Sequence, residues 1–291
     1  MMYPVTEWAN VAGDTVIIAR DAGEVWFHPF SSLEEETLPF AKPMTCKGAL
    51  RSTVGLLDGA IRLAFERTDD QPAKPDPSLI RYIYSLVAAY YTSKDTPRNL
   101  LRAAERFKEI GRMEVTRYLE MRAREEAGHH RLALKDLYAV GLPAKQIVAN
   151  CMPVGIKPLC DLFDDFCLRD YPIDSIGFSY CSERIAAVKP EAEVDAVKSL
   201  FPDGIDATRF LRSHSSLGSE VSHVEETIEF VSELPASDRI RIVQATYQSA
   251  VLMAESRRLE SMKSEAEICE ELEEAAGKEL HLSQRQWGGG R

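Results

Sequence analysis

Glu126-Ala127-Gly128-His129-His130 sits inside a run from about Glu114 to Val140, and this run decides how the chain is read. Apolar residues recur there at helical intervals. Gly141 and Pro143 end the run, because glycine accepts a left-handed cap and proline cannot continue a helix. With Glu126 as origin and about 100° per residue, Val115, Leu119, Ala133 and Leu137 fall within about 20° of it. His130 falls at about 40°, and His129 at about 60° on the other side. Glu126 is therefore expected in the middle of an apolar stripe, where an ionised group is costly unless it is paired or metal-bound.

A second Glu-x-x-His, Glu220-Val221-Ser222-His223, lies 94 positions later. The same rotation places Leu217, Val224, Thr227 and Val231 within about 60° of Glu220, with His223 on the flank. Between the two motifs, Glu183 follows Ile176 and Tyr180 and precedes Ala187, so it too points along an apolar stripe. Three inward carboxylates, with imidazoles from His223 and from His129 or His130, call for a compensating cation. Paired Glu-x-x-His motifs joined by further glutamates are how helical proteins build carboxylate-bridged di-iron or di-manganese centres. Arg122, Arg124, Arg131 and Arg184 are close enough in sequence to offer the plain alternative of salt bridges. His28 and His281 read as incidental. His214, about 180° from His223 on an ideal helix, reads as outside any shared site. Cys181 is a candidate nucleophile without a His near it in sequence.

Composition narrows the partners. Of 291 residues, 45% are apolar and 28% charged, as expected of a soluble protein with a sizeable core. A formal charge of −11 and the lack of a basic stripe argue against nucleic acid. No apolar run reaches the roughly 18 residues that cross a bilayer, and no signal peptide is evident, so a cytoplasmic location is expected. Six cysteines without Cys-x-x-Cys spacing disfavour a structural zinc site and a disulfide framework. The acidic runs Glu34–Glu36 and Glu270–Glu274 read as solvated faces.

Outward from the motifs, the chain reads as mainly helical. Thr15–Arg20 and Glu24–His28, separated by Asp21-Ala22-Gly23, predict a β-hairpin within a lead-in of residues 1–44 that packs on the helices. Helices are predicted over 47–67, 79–91, 144–151, 157–169, 173–188, 191–201, 206–234 and 237–277, with a helix beginning at Thr96-Pro97. Residues 68–77, rich in proline, read as a linker or surface loop. Residues 45–280 form the predicted helical bundle, and 281–291 a disordered tail.

The segment Glu125-Glu126-Ala127-Gly128-His129-His130-Arg131-Leu132, running on to Gly141-Leu142-Pro143, resembles the first core helix of the haem-oxygenase-like di-iron oxidases and oxygenases. The resemblance implies a haem-oxygenase-like helical bundle that binds Fe(II), two ions, activates O2 and oxidises a small amino-acid-like or fatty-acid-like molecule. Its spacing favours His129 as a metal ligand, whereas the helical stripe favours His130. Glu183 lies where that family's second core helix supplies a Glu. The third core helix of the family carries His-x-x-x-Asp-x-x-His, and here Ser216, Glu220 and His223 stand at those positions, so the first His is replaced by Ser. The implied metal set is Glu126, His129, His130, Glu183, Glu220 and His223, with a small substrate and O2 as partners and a homodimer left open. Two other readings remain: a cofactor-free, thiaminase-like helical enzyme using Glu183, Glu220 and Cys181, and a non-catalytic helical binding protein.

Overall fold

Gly13 and Gly23, at φ +74° and +91°, turn the chain twice and fold its start into three antiparallel strands, β1 (Thr6–Asn10), β2 (Thr15–Arg20) and β3 (Val25–Pro29), in the order β1-β2-β3. The computed structural model describes residues 5–29, 40, 42–68, 75–218 and 220–280, apart from the Glu220 side chain. The acidic run 34–36, most of the proline-rich stretch, His281 and the tail lie outside the described residues.

The expected hairpin is β2 and β3, with Ile17 opposite Phe27 and Ile18 opposite Trp26. The third strand, β1, was not anticipated. Its Glu7 and Ala9 point inward while Thr6, Trp8 and Asn10 stay half-exposed, so the strand alternates as a strand should, but with a carboxylate at a core position. The first helix, α1 (Leu50–Arg67), lies on β2. Gly55 and Gly59 permit this approach: a Cβ at Gly55 would stand 2.9 Å from that of Ala19, and one at Gly59 3.0 Å from Ile17.

The rest is helical. α2 (Leu79–Lys94) starts at Ser78, whose hydroxyl accepts the Arg81 N–H, and α3 (Thr96–Glu109) starts with Pro97 in its first turn. Then follow α4 (Met113–Glu125), α5 (His129–Ala139), α6 (Ala144–Asn150), α7 (Ile156–Leu168), α8 (Asp174–Ala187) and α9 (Glu191–Lys198). After these come α10 (Arg209–Ser213), α11 (Glu220–Glu233), α12 (Ala236–Met262) and α13 (Glu265–Ala276). The long α12 is the central support, lying against both α1 and α8. It approaches α8 at Gly177, where a Cβ would come within 2.4 Å of the Ile242 carbonyl oxygen. α8 also lies against α11, α2 against α5, and α10 against α5. No helix among the described residues is long and apolar enough to cross a membrane.

Three of the predicted helices are broken. The run 114–140 is two helices, α4 and α5, because Gly128 takes φ +97° and starts α5 from a left-handed residue. Glu126 is the cap that ends α4, not a mid-helix residue. The run 206–234 is α10 and α11. Between them the Ser215 hydroxyl accepts the Leu217 N–H, and Gly218 sits too close to Ser213 for any side chain, so a turn outcompetes the helix. Leu217, expected on the apolar face, is exposed there. The run 237–277 divides at Ser264, which forms a reciprocal capping box with Glu267.

Candidate metal centre beside a cavity

Arg122, on α4, is buried to 1% exposure. One Nη contacts a carboxylate oxygen of Glu183 on α8, and the other donates to Glu125 at 2.7 Å. One turn beyond Arg122, the break at Gly128 turns the chain so that the Glu126 carboxylate and the His129 ring meet, Oε2 to Nδ1, at 2.9 Å. Burial by itself would raise the Glu126 carboxyl. The hydrogen bond to His129 and the nearby His129, His214 and Arg122 outweigh it and hold the group below the usual glutamate range.

His214 joins this group from α10. Its ring lies 4.7 Å from that of His129, nearly perpendicular to it, and 4.3 Å from Phe210. The fully buried Asp136 on α5 places it there, accepting the Phe210 backbone N–H at 2.8 Å and an Arg209 N–H at 3.1 Å. Asp136 thus ties α10 to the helix that begins with His129. His223, buried on α11, brings its Nε2 to 3.8 Å from Glu125. Thr227 donates to the His223 carbonyl at 2.8 Å and shares a 2.7 Å hydrogen bond with Tyr118, which fixes this part of α11 against α4.

The side chains assemble two donor triads that share one residue. Glu126, His129 and His214 can each place a ligand atom within 4.8 Å of the others, and so can Glu126, Glu183 and His223. Of the residues singled out in the sequence, Glu126, His129, Glu183 and His223 come together. His130 does not: it lies against Tyr90, ring centroids 6.0 Å apart, and burial together with Arg131 lowers its pKa. Glu220 opens α11, and its side chain lies outside the described residues. His214 does not join His223, in keeping with the 180° between them, but it falls in the other triad, beside Glu126 and His129, because the helix that would set its phase is interrupted. Serine-rich spacing and Gly218 were the available signal that the phase could not be carried across. Ser216, where the resemblance implies a His, is exposed.

Glu126, Glu183 and His214 line a cavity of about 310 Å³. Its walls are mostly apolar, with Leu86, Phe163, Phe178 and Met253 among them. Cys181 does not line it. The thiol is fully buried between α8 and α12, with Sγ 3.6 Å from the Met253 sulfur, and burial pushes its pKa well up, the opposite of an activated nucleophile.

No protein-family model matches the chain, and no curated protein is a significant match. Solved structures do match. A domain of unknown function with a heme oxygenase-like fold, from Shewanella denitrificans, superposes with a TM-score of 0.50 at 20% identity, over 70% of this chain and 87% of that one. The chain has a haem-oxygenase-like fold. A TenA homolog from Pseudomonas syringae pv. tomato superposes with a TM-score of 0.55 at 13% identity, over 74% of this chain and 99% of that one.

Proposed function

We propose that the protein is an O2-dependent, non-haem iron oxidoreductase that binds two Fe(II) and oxidises a small molecule held in the cavity. The observation that carries this reading is the sharing of Glu126 between two donor triads, one buried and one half-buried, that border a ligand-sized space. A carboxylate common to two ligand sets is the arrangement of bridged two-metal centres, and imidazole with carboxylate suits Fe(II). The set Glu126, His129 and His214 fits a cation as it stands, being two imidazoles and one carboxylate. The set Glu126, Glu183 and His223 fits once Glu183 releases Arg122, whose other contact, to Glu125, can hold the guanidinium in place.

Fe(II) would supply the electrons that O2 chemistry needs. The chain's own contributions are separate from that. Asp136 positions His214, Arg122 neutralises Glu183 until metal enters, and the apolar wall excludes water from the substrate. Because the two superposed structures share 20% and 13% identity with this chain, the reading rests on these residues and not on theirs.

Two observations favour a metal-free site instead: Arg122 already compensates Glu183, and the TenA homolog shares the fold. A thiaminase-like mechanism through Cys181 does not go with it, since that thiol is away from the cavity. Anaerobic titration with Fe(II), followed by desalting and elemental analysis, separates the two. The proposal expects about two irons per chain. Less than about one would leave Arg122 as the permanent cation and favour the metal-free enzyme.

A further inference from the structure

A second, smaller chamber of about 100 Å³ lies where α2, α3, α7 and α8 meet. Thr92, Thr96, Phe163 and Phe178 border both it and the main cavity, and the two phenylalanine rings stack at 4.4 Å. Glu126, Glu183 and His214 border the main cavity alone. Asn99, on α3, is 2% exposed and borders the small chamber. Its Nδ2 donates to Asp164 of α7 at 2.5 Å, and this fixes which end of the amide is which, because two oxygens would face each other in the reverse orientation. Asn99 Oδ1 is left buried with no hydrogen-bond partner among the described residues.

A buried acceptor without a donor is costly, and the neighbouring polar groups supply none. The Thr92 hydroxyl donates to the Ala88 and Ala89 carbonyls, and that of Thr96 to the Thr92 carbonyl at 2.9 Å, so both are left with lone pairs only. Asp164, half-buried on the same wall, adds a negative charge. Lys94 borders the chamber too, but its Nζ lies 3.7 Å from Asp95 and 4.9 Å from the centroid of the Tyr91 ring. What suits such a wall is a compact guest that only donates. An ammonium nitrogen carries N–H donors and no acceptor, and its charge is attracted both to a carboxylate and to the faces of aromatic rings. The chamber exceeds the roughly 30 Å³ that one water takes up, so a methyl or ethyl group on the nitrogen has room against Phe163 and Met152.

We propose that this side chamber binds a small ammonium-class cation, the ammonium ion itself or a short primary alkylammonium, through Asn99 Oδ1 and the Asp164 carboxylate. Thr92 and Thr96 accept the remaining N–H groups. None of these residues belongs to either donor triad, so the site is tested on metal-free protein, and its failure is separate from that of the metal centre.

The probes are the chlorides of ammonium, methylammonium, potassium and sodium, compared by thermal shift at one ionic strength so that screening is common to all. In wild type, ammonium or methylammonium is expected to raise the unfolding midpoint along a saturating curve, half-maximal at about millimolar concentration. Potassium, which carries the charge without an N–H, and sodium should act at least about tenfold more weakly. A response to ammonium alone assigns the site to the free ion, and a stronger response to methylammonium to an amine head. Asn99→Leu, close in size but without Oδ1, should weaken binding at least about tenfold. Asp164→Asn, at a half-buried position, should do likewise and guards against a folding defect in Asn99→Leu. Potassium matching the nitrogen cations, no saturable response to either of them, or unchanged affinity in Asn99→Leu or Asp164→Asn would each overturn the site. A response that appears only in Lys94→Ala would make the Lys94 side chain the chamber's own occupant, and would overturn it equally.

Discussion

Glu7–Arg239 and the Arg122 group are two of the charge clusters among the described residues, and they are built differently. At the sheet end, Glu7 on β1 and Arg239 on α12 are almost wholly buried, with Nε to Oε1 at 2.7 Å. The other Glu7 oxygen accepts from the Ser52 and Thr53 hydroxyls and the Ala49 N–H, while Arg239 donates to the Leu234 and Cys46 carbonyls at 2.6 and 2.8 Å. One carboxylate meets one guanidinium, and the surrounding polar groups finish the set. At the other cluster, one guanidinium, Arg122, serves Glu125, Glu126 and Glu183 amid three imidazoles, on the edge of a cavity. A closed pair fixes one element to another. A cluster with more anionic donors than cations, beside open space, is suited to admitting a cation.

The comparison breaks most visibly if each arginine is replaced by methionine. Arg239→Met leaves the Glu7 carboxylate buried without its counter-charge, and a loss of about 3–5 kcal/mol is expected in urea unfolding. Divalent metal should not restore it. Arg122→Met should also destabilise the metal-free protein, by up to about 3–5 kcal/mol, because Glu183 loses its partner. Here added Fe(II) under argon should recover most of the loss, since the metal takes over the charge. Equal rescue of both variants, or of neither, would erase the distinction between the clusters.

Acid sharpens the contrast. Because the Glu126 carboxyl is held below its ordinary value of about 4.3, it contributes stability at higher pH that is lost as pH falls through the folded-state pKa. Glu126→Gln should therefore flatten the metal-free unfolding free energy between neutral pH and the acid limb. If the slope of stability against pH in that limb matches wild type, the pairing of Glu126 with His129 has been misread. The smallest effect belongs to His130→Ala. Its ring lies against Tyr90 and outside both triads, so iron content should stay at the wild-type level, whereas His129→Ala should reduce it.

Much of this arrangement was legible in the sequence, and the exceptions share a physical cause. The helical pattern after Pro43 marked α1, α2, α7 and α8 to within a few residues, because their apolar stripes are unbroken. Glu183 stood out as a carboxylate on such a stripe, and Glu126 as one on a stripe that the turn at Gly128 interrupts. β1 stayed hidden because its inward position is Glu7, whose partner Arg239 lies more than two hundred residues away and cannot be read from local alternation. His214 stayed hidden because its phase depends on a turn, set by Ser215 and Gly218, that a helical wheel runs straight through. The same limitation made His129 and His130 look like alternatives: once Gly128 turns the chain, only His129 meets Glu126.

The account stands most directly on the iron content of wild type and Glu126→Ala after anaerobic loading with Fe(II) and desalting, with helical content checked by circular dichroism. Loss of the one residue common to both triads should take wild type from about two irons per chain to fewer than one, with the helical signal unchanged. Wild type emerging without iron, or Glu126→Ala retaining as much as wild type, would contradict the assignment of the cavity-edge cluster as a metal centre.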